Sequence, residues 1–116
     1  MRKATAATTG KMVQIYNEAA PQLFALQTEL RELAKKKPDG TLSKAKVALI
    51  NRVLTDIKEP FQKERGGKYL ELLDDETLPQ YSDVVLVIAQ YATVLTQFEQ
   101  EHTGQNANFE MEWNIK

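Results

Sequence analysis

Glu99 and the chain's one histidine, His102, stand three residues apart. On a helix that spacing turns both side chains to one face, as in di-metal carboxylate bundles, which use two such motifs and two further carboxylates. One copy is half of that set, so the metal reading requires a symmetric dimer to supply the rest. A single histidine also suits the polar end of an apolar helix stripe, where a cation favours the helix C-terminus. With no cysteine in 116 residues, disulfides, zinc knuckles and thiol catalysis are excluded. One histidine leaves most acid–base and nucleophilic schemes short of parts. The expectation is a protein that is not an enzyme and carries no cofactor or metal.

Asp74-Asp75-Glu76 is a second acidic set, of the kind that ligates Mg²⁺ or Ca²⁺. It has no EF-hand spacing and no phosphate loop beside it, so it reads as a solvated terminus of a helix. "KERGGK" at 63–68 places two glycines among cations but lacks the Walker spacing. It reads as a linker, and no G-x-S-x-G occurs.

Charge is the stronger signal. The net charge is −1. Residues 1–68 nevertheless hold 14 Lys/Arg against 7 Asp/Glu, whereas residues 69–116 hold 1 Lys against 9 Asp/Glu. Two halves that pack together and cancel explain this, and so does a basic surface for an acidic partner. Arg31, Lys35, Lys36, Lys37, Lys44 and Lys46 flank one turn, with Asp39 inside it. Such a cluster suits a nucleic-acid backbone. No aromatic is interleaved for base stacking, and no recognised nucleic-acid motif is present.

The last eight residues alternate without a break. Phe109, Met111, Trp113 and Ile115 are apolar, and Glu110, Glu112, Asn114 and Lys116 are polar. Period 2 is the pattern of a half-buried strand. Nothing upstream reads as a flat sheet to receive it, so its backbone groups are expected to pair with water, a second copy or another protein.

The elements that position these residues are helical. Met12, Tyr16, Ala19, Leu23, Leu26, Leu30 and Leu33 form a stripe at spacings of 4 and 3, capped by Thr8 or Thr9. The stripe keeps its phase across Pro21, which predicts one continuous helix with a kink. Pro38 to Gly40 is a turn. Val47, Ile50, Leu54, Ile57 and Phe61 form a second stripe, capped by Thr41 or Ser43. Gly66-Gly67 is a break, and a short helix from about Lys68 to Leu73 follows. Val84, Ile88, Tyr91, Leu95, Phe98 and His102 form the last stripe, with Ser82 as its cap and Gly104 as its stop. "DVVLVIA" at its start has strand propensity, and the periodicity over six positions decides for helix. Leu26, Leu30, Ile50, Leu54, Ile88 and Leu95 lie mid-stripe and are the expected core.

The fold class expected is all-α: a small antiparallel bundle of three long helices and one short one, with an extended strand-like C-terminal tail. Residues 1–8 are expected to be a flexible N-terminus, 9–104 the bundle and 105–116 the tail. The longest apolar run, Val84 to Ala89, is far short of a membrane span, and no apolar stretch follows the basic start. A cytoplasmic protein without a membrane contact is expected. The leading functional expectation is a protein–protein interaction module or accessory subunit. It associates with itself or a partner through Phe109, Met111, Trp113 and Ile115. The alternative is a helical subunit binding a nucleic-acid backbone through its basic half, and the third is the dimeric carboxylate metal site at Glu99 and His102.

Overall fold

The computed structural model describes residues 2–116, and 58% of the chain is helical. Helix α1 spans Gly10–Lys36, α2 Lys44–Lys58 and α3 Tyr81–His102. Two short strands follow, β1 at Thr103–Gln105 and β2 at Met111–Trp113. Helix α1 makes its most extensive contact with α3 and a smaller one with α2.

Helix α1 starts where Thr9 accepts a hydrogen bond from the Met12 amide at 3.2 Å. It runs unbroken through Pro21. Pro21 cannot donate to the Asn17 carbonyl, but both residues lie on the exposed side, where water can satisfy it. Ser43 caps α2 by accepting from the Lys46 amide at 3.2 Å. Val47, Ile50, Leu54 and Ile57 are buried at spacings of 3, 4 and 3. In α3, Val84 and Ile88 are fully buried four residues apart, whereas Leu86 is 67% exposed. Helical periodicity therefore prevails over β propensity in "VVLVIA".

Five of the six mid-stripe residues, Leu30, Ile50, Leu54, Ile88 and Leu95, are buried. Leu26 is only partly buried and packs against the core from its margin. Val13 and Ala20 are buried instead of outer stripe members, so the buried face of α1 is turned slightly from the 4-3 stripe.

Three expectations are corrected. The predicted short helix at 68–73 is a single 3-10 turn, Gly67–Tyr69, followed by extended chain. Side chains, not a helical ladder, satisfy that backbone. Asn51 donates through Nδ2 to the Leu73 carbonyl at 2.9 Å and accepts from the Leu73 amide at 2.8 Å. Tyr91 Oη donates to the Glu71 carbonyl at 2.7 Å. This lets Leu70 and Leu73 reach the core from extended chain.

Second, Gln80, not Ser82, is the cap position of α3, and no side chain caps it. The turn between α1 and α2 does so instead. The Gly40 carbonyl accepts from the Tyr81 amide at 2.7 Å, and the Pro38 carbonyl accepts from the Ser82 amide at 3.2 Å. Leu42, almost fully buried, donates from its amide to Pro79 in the same contact.

Third, a sheet is present. Strands β1 and β2 pair antiparallel, with Thr103 opposite Trp113, Gly104 opposite Glu112 and Gln105 opposite Met111. The tail thus finds its partner within the chain, in three residues that continue directly from α3.

Candidate interaction site

The hairpin is built outward from the end of α3. Thr103 closes the helix, its amide and its hydroxyl both donating to the Glu99 carbonyl. β1 follows without a linker. Asn106 then organises the loop. Its amide donates to the Glu110 carbonyl at 2.9 Å. Its side-chain oxygen accepts from the amides of Asn108 at 2.8 Å and Glu110 at 3.1 Å. Phe109 sits in this loop with a φ of 61°, the left-handed region, which costs a residue with a Cβ about 1–2 kcal/mol. The alternation read from Phe109 onward therefore becomes a strand only from Met111.

Trp113 points inward. Its ring lies 5.2 Å from the Tyr16 ring, edge-on, and 5.7 Å from that of Phe98. Phe109, Met111 and Ile115 remain 70%, 61% and 50% exposed. Of the four predicted partner-binding residues, one anchors the hairpin to the helices and three stay in solvent.

The segment before α1 also belongs to this end of the molecule. The Arg2 carbonyl accepts from the Gln105 amide at 2.7 Å, along the outer side of β1. The Arg2 guanidinium donates to the Gln100 carbonyl and to Thr103 Oγ1 at 2.6 and 2.9 Å. Thr5 and Ala6 donate to the Glu101 carbonyl, and Thr8, which is buried, exchanges bonds with Asn114 and Lys116. The segment crosses Gly104 so closely that a Cβ there would sit 2.8 Å from the Ala4 nitrogen. No apolar stripe marks residues 2–8, and their backbone bonds leave no trace in a hydropathy pattern.

The ladder's alternation decides which strand groups are free. Asn114 donates to the His102 carbonyl and Asn106 to that of Glu110, so even-numbered residues of the tail bond toward β1. The amides and carbonyls of Met111, Trp113 and Ile115 therefore face away from β1. No bond to them from outside the β1–β2 pair is present among the described residues. With Arg2 beside β1, the outer side of β2 is the open edge of the sheet.

The other predicted sites are placed as follows. Arg31, Lys35, Lys36, Lys37, Lys44 and Lys46 are all exposed around the α1–α2 turn. Within this group, among the described residues, the one ion pair is Lys35 with Glu32 at 3.3 Å. Glu99 and His102 share a helix face but serve different partners. Glu99 accepts from Tyr16 Oη at 2.5 Å. The His102 ring nitrogens lie 3.0 Å from the Ala6 carbonyl oxygen and 3.1 Å from Glu64 Oε1. Asp74 folds back to accept from the Glu76 amide at 2.8 Å, and all three residues of that acidic set are exposed. Among the described residues no group of three or more His, Asp or Glu is placed to hold a metal ion. A groove of about 400 Å³ between α1 and α2 carries Glu18, Asp56 and Glu59 on its walls.

Burial shifts two phenols. Tyr91 is pushed up to about 12 by burial first and by the nearby Glu71 charge second. Tyr16 is raised further by burial, by its bond to Glu99 and by that carboxylate's charge. Both are thereby held protonated, which suits structural donors and not acid–base work near neutral pH. Comparison with protein-family models, with curated proteins and with solved structures finds no match.

Proposed function

We propose that this chain is a small interaction module or accessory subunit that associates with protein through its C-terminal hairpin. The observation that carries this reading is the open outer edge of β2 beside three exposed apolar side chains. A strand edge of unpaired amides and carbonyls is a template for another strand, and proteins that leave one open without shielding it invite pairing. Exposed Phe109, Met111 and Ile115 add apolar surface to the same element. The helices, taken as an antiparallel bundle, are the scaffold, and Trp113 ties the edge to them. Among the described residues no helix is long and apolar enough to cross a membrane, and a cytoplasmic setting accompanies the reading.

Ile115→Pro tests it. The substitution removes one outward amide and leaves the bonds toward β1 and Thr8 in place, since Asn114 and Lys116 make those. The expected result is an unchanged fold by circular dichroism and a loss of association, with itself or a partner, on sedimentation and pull-down beside the unmodified chain. Equal association by both chains would remove the edge from the account.

The alternative, contact with a nucleic-acid backbone, is supported by the exposure of the basic group around the α1–α2 turn. Absence of retention of single- or double-stranded nucleic acid at low salt ends it.

A further inference from the structure

Resting on that reading of the hairpin, we infer that the occupant of the open edge is a second copy of the same edge. The two β2 strands pair antiparallel about a two-fold axis through Trp113.

The strand's own sequence selects this partner and this register. The free backbone groups belong to Met111, Trp113 and Ile115. An axis at Trp113 sets Trp113 against its copy and Met111 against Ile115 of the second copy. Every opposed pair is then one whose groups point across the seam, giving six backbone bonds. Met111 and Ile115, both exposed in the single chain, become cross-strand neighbours on one face.

The polar face agrees. In the same register Glu110 stands opposite Lys116 of the second copy, and Glu112 opposite Asn114, whose side-chain amide can donate to it. Each pair occurs twice by symmetry. These are the non-hydrogen-bonded positions of the seam, where side chains approach most closely. An axis at Glu112 sets Glu112 against its own copy, a like-charge contact that is unfavourable. An axis at Asn114 leaves Met111 without a partner and makes four backbone bonds instead of six. Phe109, in the left-handed region, ends the pairing before it runs further. The product is a sheet of four strands, closed at both ends by β1 and Arg2.

Sedimentation equilibrium over about 1–500 µM is the experiment, because a seam of this length suits a dimer in the micromolar range or weaker. The unmodified chain is expected to form dimers. Glu110→Lys and Lys116→Glu are each expected to raise the dimer Kd about tenfold or more, since each turns two attractive pairs into repulsive ones. The double variant, Glu110→Lys with Lys116→Glu, restores Kd to within about threefold of the starting value by the same reckoning. All of these side chains are exposed, and thermal melts of the variants confirm that the monomer is intact.

A monomer at every concentration overturns the self-pairing. It does not decide the reading of the edge, on which the Ile115→Pro comparison with a partner reports separately. Rescue by Glu112→Lys with Lys116→Glu, and not by the 110/116 swap, overturns the register. A dimer indifferent to all of these and to Ile115→Pro overturns both the inference and the reading beneath it.

Discussion

Gly67→Ala is expected to lower stability by about 3–4 kcal/mol, among the larger effects of any single methyl group. An added Cβ at this position would lie 1.8 Å from the Phe61 carbonyl oxygen, 2.8 Å from the Phe61 carbonyl carbon and 3.0 Å from that of Gln62. All three are backbone atoms, so no rotamer change relieves the clash. The backbone on the other side is fixed as well. Phe61 is fully buried with its ring 5.0 Å from that of Phe98. Gly67 itself is bonded through its amide to the Glu64 carbonyl at 2.8 Å. Either Phe61 leaves the core or the 64–67 turn opens. Opening the turn would disturb Glu64, which holds His102. Gly10 is the matched control, because nothing lies within 4 Å of a Cβ there. Gly10→Ala is expected to be neutral or slightly stabilising. The readout is urea unfolding of both variants, and equal stability for the two would refute the close approach at Gly67.

Alkaline pH is expected to weaken the fold through Tyr91. Its phenol is raised from the usual value of 10 to about 12. A raised value means that the fold favours the protonated phenol. That contribution is complete below about pH 10 and is lost as pH rises from about 10 to 12. Two units correspond to about 2–3 kcal/mol. Tyr16, raised for similar reasons, acts in the same direction. Tyr91→Phe isolates one of the two. At neutral pH it leaves the Glu71 carbonyl without its donor and costs about 1 kcal/mol. Between about pH 9 and 12 it should then lose about 2–3 kcal/mol less than the unmodified chain. Parallel stability curves for the two proteins would show that Tyr91 ionises as freely in the fold as outside it.

The parts of the fold legible in the sequence are those encoded by side-chain periodicity. Val47, Ile50, Leu54 and Ile57 announce α2, and Val84, Ile88, Tyr91 and Leu95 announce α3, because repeated burial leaves repeated apolar residues. The hairpin was half legible. The alternation from Phe109 marked β2, but β1 is three residues, Thr-Gly-Gln, fused to the end of α3 and too short to show a period. The turn residues Asn106 and Asn108 were the signal that a strand preceded as well as followed them. The N-terminal segment left no signal, because it is held by backbone bonds to Glu101, Asn114 and Gln105 and by the Arg2 side chain. The extended stretch at 70–73 misled for a related reason. Leu70 and Leu73 have helical spacing, yet Asn51 and Tyr91 complete the backbone bonding from neighbouring elements. Side chains that stand in for a ladder are visible only once the chain is folded.

The functional residues divide the same way. Trp113, one of the four residues read as partner-binding, lies edge-on to the Tyr16 ring and tilted against that of Phe98. Its packing against the helices fixes the parity of the tail, and that parity aims the amides and carbonyls of Met111, Trp113 and Ile115 away from β1. Glu99 and His102, the residues closest to a metal motif, are engaged by Tyr16, Ala6 and Glu64 in joining three parts of the chain.

Amide hydrogen exchange along the tail tests the central claim most directly, because it reads each strand group separately. At low concentration the Glu112 and Asn114 amides, bonded toward β1 and His102, should be protected, while those of Met111, Trp113 and Ile115 exchange freely. As protein concentration rises, or as a partner is added, protection of those three odd-numbered amides should appear while the even-numbered ones change little. Odd-numbered amides that are already protected in the isolated chain, or that stay unprotected when the protein is associated, would contradict an account in which this edge makes the contact.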